Sequence, residues 1–182
     1  MNFVISEDQD PKIVLCMSDP GKLKNDNIEI IKKAQDAGYL AVVITVNFPS
    51  SVLEKLYIKN GASKEKIYFI DAVSKFSMGS NAQENDHITY LKNPSDLTAL
   101  SIVFSEFLKK NNDKNIFVIL DSISSMLIYI QSIKVLQYLH FVSNGLRQTG
   151  KNAVFLAIEN GLEPMFYSQI LSIVDEVIKE EG

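Results

Sequence analysis

Asp121 is the residue of this sequence best placed to do chemistry. It closes the apolar run Ile116-Phe117-Val118-Ile119-Leu120 and is followed by Ser122-Ile123-Ser124-Ser125. An unbroken apolar run of that length predicts a strand buried on both faces, at the centre of a parallel sheet. A carboxylate at the carboxyl end of such a strand lies on the edge where open α/β sheets bind ligands. It is equally well placed to cap the turn that follows, and this stretch alone leaves both readings open. Gly21 and Lys22 offer a second group, in the polar loop Ser18-Asp19-Pro20-Gly21-Lys22 after another apolar run. Asn47 and Glu159 offer a third and a fourth, each just past a β-branched segment.

Other chemistries fail on residue type or spacing. His87 and His140 are the only histidines. His87 lies near Glu84 and Asp86, but the spacing is poor for a metal, so a solvated loop is expected and no metal site. The serines after Asp121 lack the G-x-S-x-G context of a nucleophile elbow and read as a turn. Cys16 is the single cysteine. It rules out an intrachain disulfide, fits a reducing, cytoplasmic compartment, and sits in an apolar run as an inert core residue. The net charge is −4, and no Lys/Arg cluster is interleaved with aromatics, so nucleic acid is not an expected partner. No apolar run is long enough to span a bilayer, and no basic region followed by an apolar stretch opens the chain, so neither a membrane nor a signal peptide is expected.

The elements that must position these residues alternate. Strands are predicted over 12–17, 40–46, 67–70, 115–120, 152–158 and 176–180. Helices are predicted over 27–37, 51–61, 95–110, 132–149 and 164–173. Asp26 with Glu29, and Ser51 with Glu54, have the spacing of capping boxes, and Ser132 is a third N-cap candidate. Gly38 and Gly150 stand where helices end. Residues 1–11 read as a loose arm, or as an edge strand at Phe3-Val4-Ile5, and 74–94 as a long irregular loop, polar and rich in Asn, Gln and Ser. The whole chain, 1–182, reads as one three-layer α/β/α domain around a mainly parallel sheet.

The order of three segments resembles a known family. VVITVNFPSSVLEKLYIKNGASKEKIYFIDAVS, FVILDSISSML and LRQTGKNAVFLAIEN are similar to the core of the RecA/KaiC group of P-loop ATPases, nearest its archaeal KaiC-like branch. The resemblance runs from about Lys12 to near the end and implies a RecA-like P-loop NTPase fold. It also implies that Asp121 takes the Walker-B position, where an acid holds the nucleotide's Mg²⁺.

The catalytic parts of the family pattern are where this sequence departs. Against the phosphate loop G-x-x-x-x-G-K-[ST], Gly21 and Lys22 match the inner pair. Cys16 stands at the first Gly, and Leu23 stands where the Mg²⁺-binding hydroxyl belongs. The Asp26 capping box would start the helix near Asn27, past Lys22, so its N–H groups would not point at a phosphate. Where KaiC-like ATPases carry an acidic pair after the second strand, this chain has Asn47-Phe48, and Asn cannot take a proton from water at neutral pH. Glu159 stands where relatives place a polar group near the γ-phosphate.

The expectation is a non-catalytic, degenerate domain, a pseudo-ATPase, acting through a protein partner or as a homo-oligomer in a regulatory or signalling assembly. It would need no cofactor. Its vestigial nucleotide set would be Gly21, Lys22, Asp121, Ser122, Asn47 and Glu159, with Asp121 held in place by hydrogen bonds to nearby backbone. The alternative is an unorthodox ATP-binding protein or weak ATPase, with ATP and Mg²⁺ held by Lys22 and Asp121.

Overall fold

The computed structural model describes residues 11–78 and 85–179. In chain order the elements are β1 (Ile13–Ser18), α1 (Leu23–Asp36), β2 (Leu40–Thr45), α2 (Ser50–Lys59), β3 (Ile67–Asp71), α3 (Ser74–Met78) and β4 (Ile88–Tyr90). Then come α4 (Leu97–Lys110), β5 (Ile116–Asp121), α5 (Ile123–Tyr129), α6 (Ser132–Thr149), β6 (Asn152–Ile158), α7 (Pro164–Leu171) and β7 (Glu176–Lys179). The strands form one sheet in the order β4-β3-β2-β5-β6-β1-β7, with every pairing parallel.

β1, β2, β5 and β6 lie inside the sheet, and their apolar runs are covered on both faces. One face carries Val14, Cys16, Ala41, Val43, Phe117 and Ile119 against Ile30, Ile31 and Ala34 of α1 and Leu53 and Tyr57 of α2. The other carries Leu15, Val42, Ile44, Val118 and Leu120 against α4, α5, α6 and α7, including Phe104, Met126, Leu139 and Phe166. Alternate residues of each strand serve opposite layers, so a strand buried twice is apolar along its length and places its polar residues, Ser18, Thr45 and Asp121, at the carboxyl end. β1 and β2 send their chains to the first face, and β5 and β6 send theirs to the second. β2 lies beside β5 and β1 beside β6, so the crossovers diverge at both junctions, which is where an open α/β sheet forms a crevice.

The glycine stops hold. Gly150 follows α6 with φ of 65° and Gly38 follows α1 with φ of 86°, a left-handed turn that a side chain disfavours.

Several local expectations do not hold. The 74–94 stretch is not a plain loop: it forms α3 and β4, and β4 pairs with β3 from Phe69↔Ile88 to Asp71↔Tyr90. Three residues are too few to show a strand period. Residues 79–84 of that stretch, and residues 1–10 of the expected arm, lie outside the described residues. α1 starts at Leu23, not Asn27, because Asp26 is not a cap. It is buried inside the first turn and accepts a hydrogen bond from Ser18 Oγ at the end of β1, while Glu29 pairs with Lys33 at 2.8 Å. The second capping box is also unformed: α2 begins at Ser50, and Glu54 reaches Lys64 at 3.2 Å. Ser132 is the first helical residue of α6 and not its cap.

Asp71 does the capping instead. Its Oδ2 accepts from Ser50 N at 2.7 Å and Ser74 Oγ at 2.6 Å, and its Oδ1 accepts from Val73 N and Ser74 N, both at 2.8 Å. One buried carboxylate thus joins the end of β3 to the starts of α2 and α3. Asp71→Ala strands those donors in the interior and is expected to cost about 3 kcal/mol or more. Urea unfolding should show a lower midpoint at unchanged slope; an unchanged midpoint would mean that water replaces the carboxylate.

Candidate functional site

The four candidate positions come to one edge of the sheet. Lys22 and Gly21 follow β1, Asn47 follows β2, Asp121 and Ser122 end β5, and Glu159 follows β6. In the sheet these strands are neighbours, in the order β2, β5, β6, β1. Thr45 pairs with Asp121, and Glu159 N donates to Ser18 O at 2.8 Å. The strand ends are therefore brought together, but the side chains divide into an exposed group and a buried one.

Gly21 and Lys22 belong to the exposed group. Only residues 19–22 separate β1 from α1, and the loop closes on itself. Gly21 N donates to Asp19 Oδ1 at 2.7 Å, while Lys22 N and Leu23 N donate to Asp19 O at 2.9 and 3.1 Å. The amides at this helix start are thus turned toward Asp19. Asn47 and Glu159 are half-buried.

Asp121 is 1% exposed. It follows Phe117 and Ile119 on the face covered by α1 and α2, and its surroundings are Leu23, Lys24, Asn27, Phe48, Leu53 and Leu56. No water-sized space remains among these side chains. Phe48 closes the top: Thr45 Oγ1 donates to Phe48 O at 2.7 Å, and Lys24 Nζ lies 4.6 Å from the Phe48 ring centroid. Among the described residues neither carboxylate oxygen of Asp121 has a hydrogen-bond partner. The expectation that it bonds nearby backbone is therefore wrong: the amides after β5 serve α5, which Ser122 caps through Ser125 N at 3.3 Å. Ser122 to Ser125, expected as a turn, is the first turn of that helix. The Asp121–Ser122 peptide is cis.

Burial pushes the Asp121 carboxyl up to about 7; the neighbouring Asn27 amide opposes the rise without reaching hydrogen-bond geometry. Asn27 Oδ1 accepts instead from Tyr57 Oη at 2.8 Å. Burial first, and then the charge of Asp121, raise the Tyr57 phenol well above its ordinary value. Asn27 and Tyr57 were missed from sequence, although a signal existed. Leu23, Asn27, Ile30, Ile31 and Ala34 form one helical stripe, and an Asn on an apolar stripe needs a partner inside the fold. Among the described residues no group of three or more His, Cys, Asp or Glu side chains could hold a metal ion, and no helix is long and apolar enough to cross a membrane.

No family model matches the sequence, and no curated protein does. Solved structures do match in shape. The uncharacterised protein PH0321 from Pyrococcus horikoshii, crystallised in complex with an unknown peptide, superposes with a TM-score of 0.73 at 12% identity, over 95% of this chain and 78% of that one. The KaiC-like protein PH0186 from the same organism superposes with a TM-score of 0.65 at 17% identity, over 93% of this chain and 71% of that one. The fold is RecA/KaiC-like. Within that fold Asp121 sits at the end of a central strand, beneath a packed cover.

A RecA/KaiC-like domain with a buried, unpartnered carboxyl has a signed pH dependence. Asp121 binds its proton more tightly when folded, since its value moves from 3.8 to about 7. The unfolded chain therefore releases this proton first as pH rises. The contribution of Asp121 is fully present below about pH 4 and is lost by about pH 7, a change of roughly 4 kcal/mol. Asp121→Asn removes the titration, so the variant should gain on the wild type across that window and be the more stable protein at pH 8. Urea midpoints of both proteins at pH 5 and pH 8 check this; parallel pH profiles would mean that the carboxylate has a partner in solution.

Proposed function

We propose that this chain is a RecA/KaiC-like domain that carries out no nucleotide chemistry and works through protein contacts in a regulatory or signalling assembly. The observation that carries the reading is the closed crevice over Asp121. A Walker-B acid has to meet a hydrated Mg²⁺ beside the phosphates. Here Leu23, Phe48, Leu53 and Leu56 leave no water-sized space around the carboxylate, and its preferred state near neutrality includes the protonated form. Leu23 cannot ligate a metal. The amides of Gly21, Lys22 and Leu23 that would face an anion are bonded to Asp19, whose own carboxylate repels one. The residues present do not fit MgATP. That a protein of similar fold was crystallised with a peptide agrees with a role in polypeptide contacts.

One observation favours the second reading, an unorthodox ATP-binding protein using Lys22 and Asp121. α1 begins directly after Lys22, as it does in a working phosphate loop, and not a turn later. Binding would then require Phe48 and Leu23 to swing away.

Thermal melting with and without millimolar MgATP separates the two. A ligand at a hundredfold its dissociation constant adds about 2.7 kcal/mol, or roughly 5–10 °C for a chain of this size. The expected shift is within about 1 °C, and light scattering should show no change in mass. A shift of several degrees that Lys22→Ala abolishes in a folded protein would overturn the reading.

A further inference from the structure

Five large apolar side chains stay exposed along the carboxyl edge, on the α6 side of the sheet. Phe76 of α3 is 56% exposed, Ile128 and Tyr129 of α5 are 74% and 42%, Ile133 of α6 is 55% and Met165 of α7 is 75%. Phe76 and Tyr129 meet edge to face, with ring centroids 6.0 Å apart. α5 packs on β6 and α6, and α6 packs on α7. Ile133 and Met165 stand in the first turns of α6 and α7, and both helices start from the carboxyl edge, as crossovers of a parallel sheet must. The five side chains thus make one row.

The row is kept free of charge. From Ser122 to Ile133 the chain has no charged residue, although Ile128, Tyr129, Gln131, Ser132 and Ile133 all face solvent. A helix surface meant for water carries polar and charged residues. A single exposed apolar side chain needs no account, but a contiguous group of them marks a contact.

The area chooses the partner. At about 150–200 Å² for a side chain of this size, these exposures leave roughly 450–600 Å² open. A standard interface takes about 800 Å² from each partner, and a homodimer interface is about 65% apolar, which is about 520 Å². The row supplies that apolar share by itself. Contacts between different proteins are on the whole no more apolar than ordinary surface, so an uncharged row of this size fits a second copy of the chain. It also fits one for a simpler reason: a patch without charge meets itself without repulsion.

The flanks agree. Lys134 follows Ile133, and Glu163 lies two residues before Met165. Both are exposed, and neither makes an ion pair among the described residues. In a two-fold contact residue i of each copy faces residue j of the other. Lys134 of each copy can then meet Glu163 of the other, twice over.

We propose that the chain pairs with a second copy of itself through this row, in a closed two-fold dimer with Ile128, Ile133 and Met165 at its centre and Lys134 and Glu163 at its rim. The pairing needs no nucleotide. It rests on the reading of the chain as a protein-contact domain and names the chain itself as one of those contacts.

Sedimentation equilibrium of the full chain without nucleotide, from about 1 to 200 µM, tests this. The mass should rise from 20.4 kDa to twice that value and stop there, with a dissociation constant below about 100 µM. The melting temperature should rise with concentration, as a dimer's does. Ile128→Asp and, independently, Met165→Asp should each weaken pairing at least about tenfold and keep the wild-type circular dichroism. Lys134→Glu and Glu163→Lys should each weaken it about threefold, and the two together should restore it, a rescue that a change in general stickiness would not give. A wild type still monomeric at about 200 µM, masses beyond the dimer, a dimer indifferent to both Asp variants, or charge variants that fail to rescue each other would overturn the proposal. Each of these outcomes leaves the protein-contact reading standing; that reading fails separately, on a MgATP response.

Discussion

A carboxylate taken out of water must be met by donors or give up its charge, and the carboxyl edge of this sheet meets that constraint in three ways. An all-parallel sheet delivers every strand end, with its acids, to the same edge. Asp71 is answered in full by two helix starts and a hydroxyl. Asp26 is buried too, and takes the hydroxyl of Ser18. Asp121 takes no hydrogen bond from any described residue, and its burial moves its proton affinity to the neutral range. The first two arrangements tie strands to helices. The third leaves a group whose charge state the solvent sets, under a lid of apolar side chains.

The lid follows from a few residues near β1 and β2. The loop 19–22 is short enough for Asp19 to bind its own backbone, and this starts α1 at Leu23. Leu23 is buried as a result and lies over Asp121 together with Phe48, which Thr45 holds by its carbonyl. In the sequence the departures at Leu23 and Asn47-Phe48 stand far apart and look like separate losses. In space Leu23 and Phe48 belong to one apolar cover.

What could be read from the residues was what depends on long, uniform segments. Strands buried on both faces appear as unbroken β-branched runs, and α4 and α6 appear as stripes at helical spacing, so the three-layer α/β/α order was legible. Gly38 and Gly150 were legible because a left-handed turn favours one residue type. The two capping boxes failed for one cause: the side chains found partners outside the box. Asp26 and Ser51 had the spacing of caps, but Ser18 took the first, and Asp71, at the end of the neighbouring strand, replaced the second. β4 is too short to carry a period of its own and exists because β3 offers it a free edge. At the candidate site the types and the shared edge of Asp121 and Lys22 were legible. The isolation of Asp121 was not, because an absence of partners is a property of the packed interior and leaves no local pattern.

The sheet's two outermost strands bear on how this molecule stays apart from its neighbours. Within the described residues β4 has three residues and β7 four. β7 begins and ends with the exposed charged residues Glu176 and Lys179, and Lys12 reaches Glu176 at 3.4 Å. Edges this short, with charged residues at both ends of β7, offer few free backbone groups to another chain, which is how natural sheets resist edge-to-edge aggregation. Growth of the sheet by adding foreign strands is thereby discouraged. A sheet blunted in this way leaves side-chain surfaces, where shape and charge set selectivity, as the ground for any contact with another polypeptide.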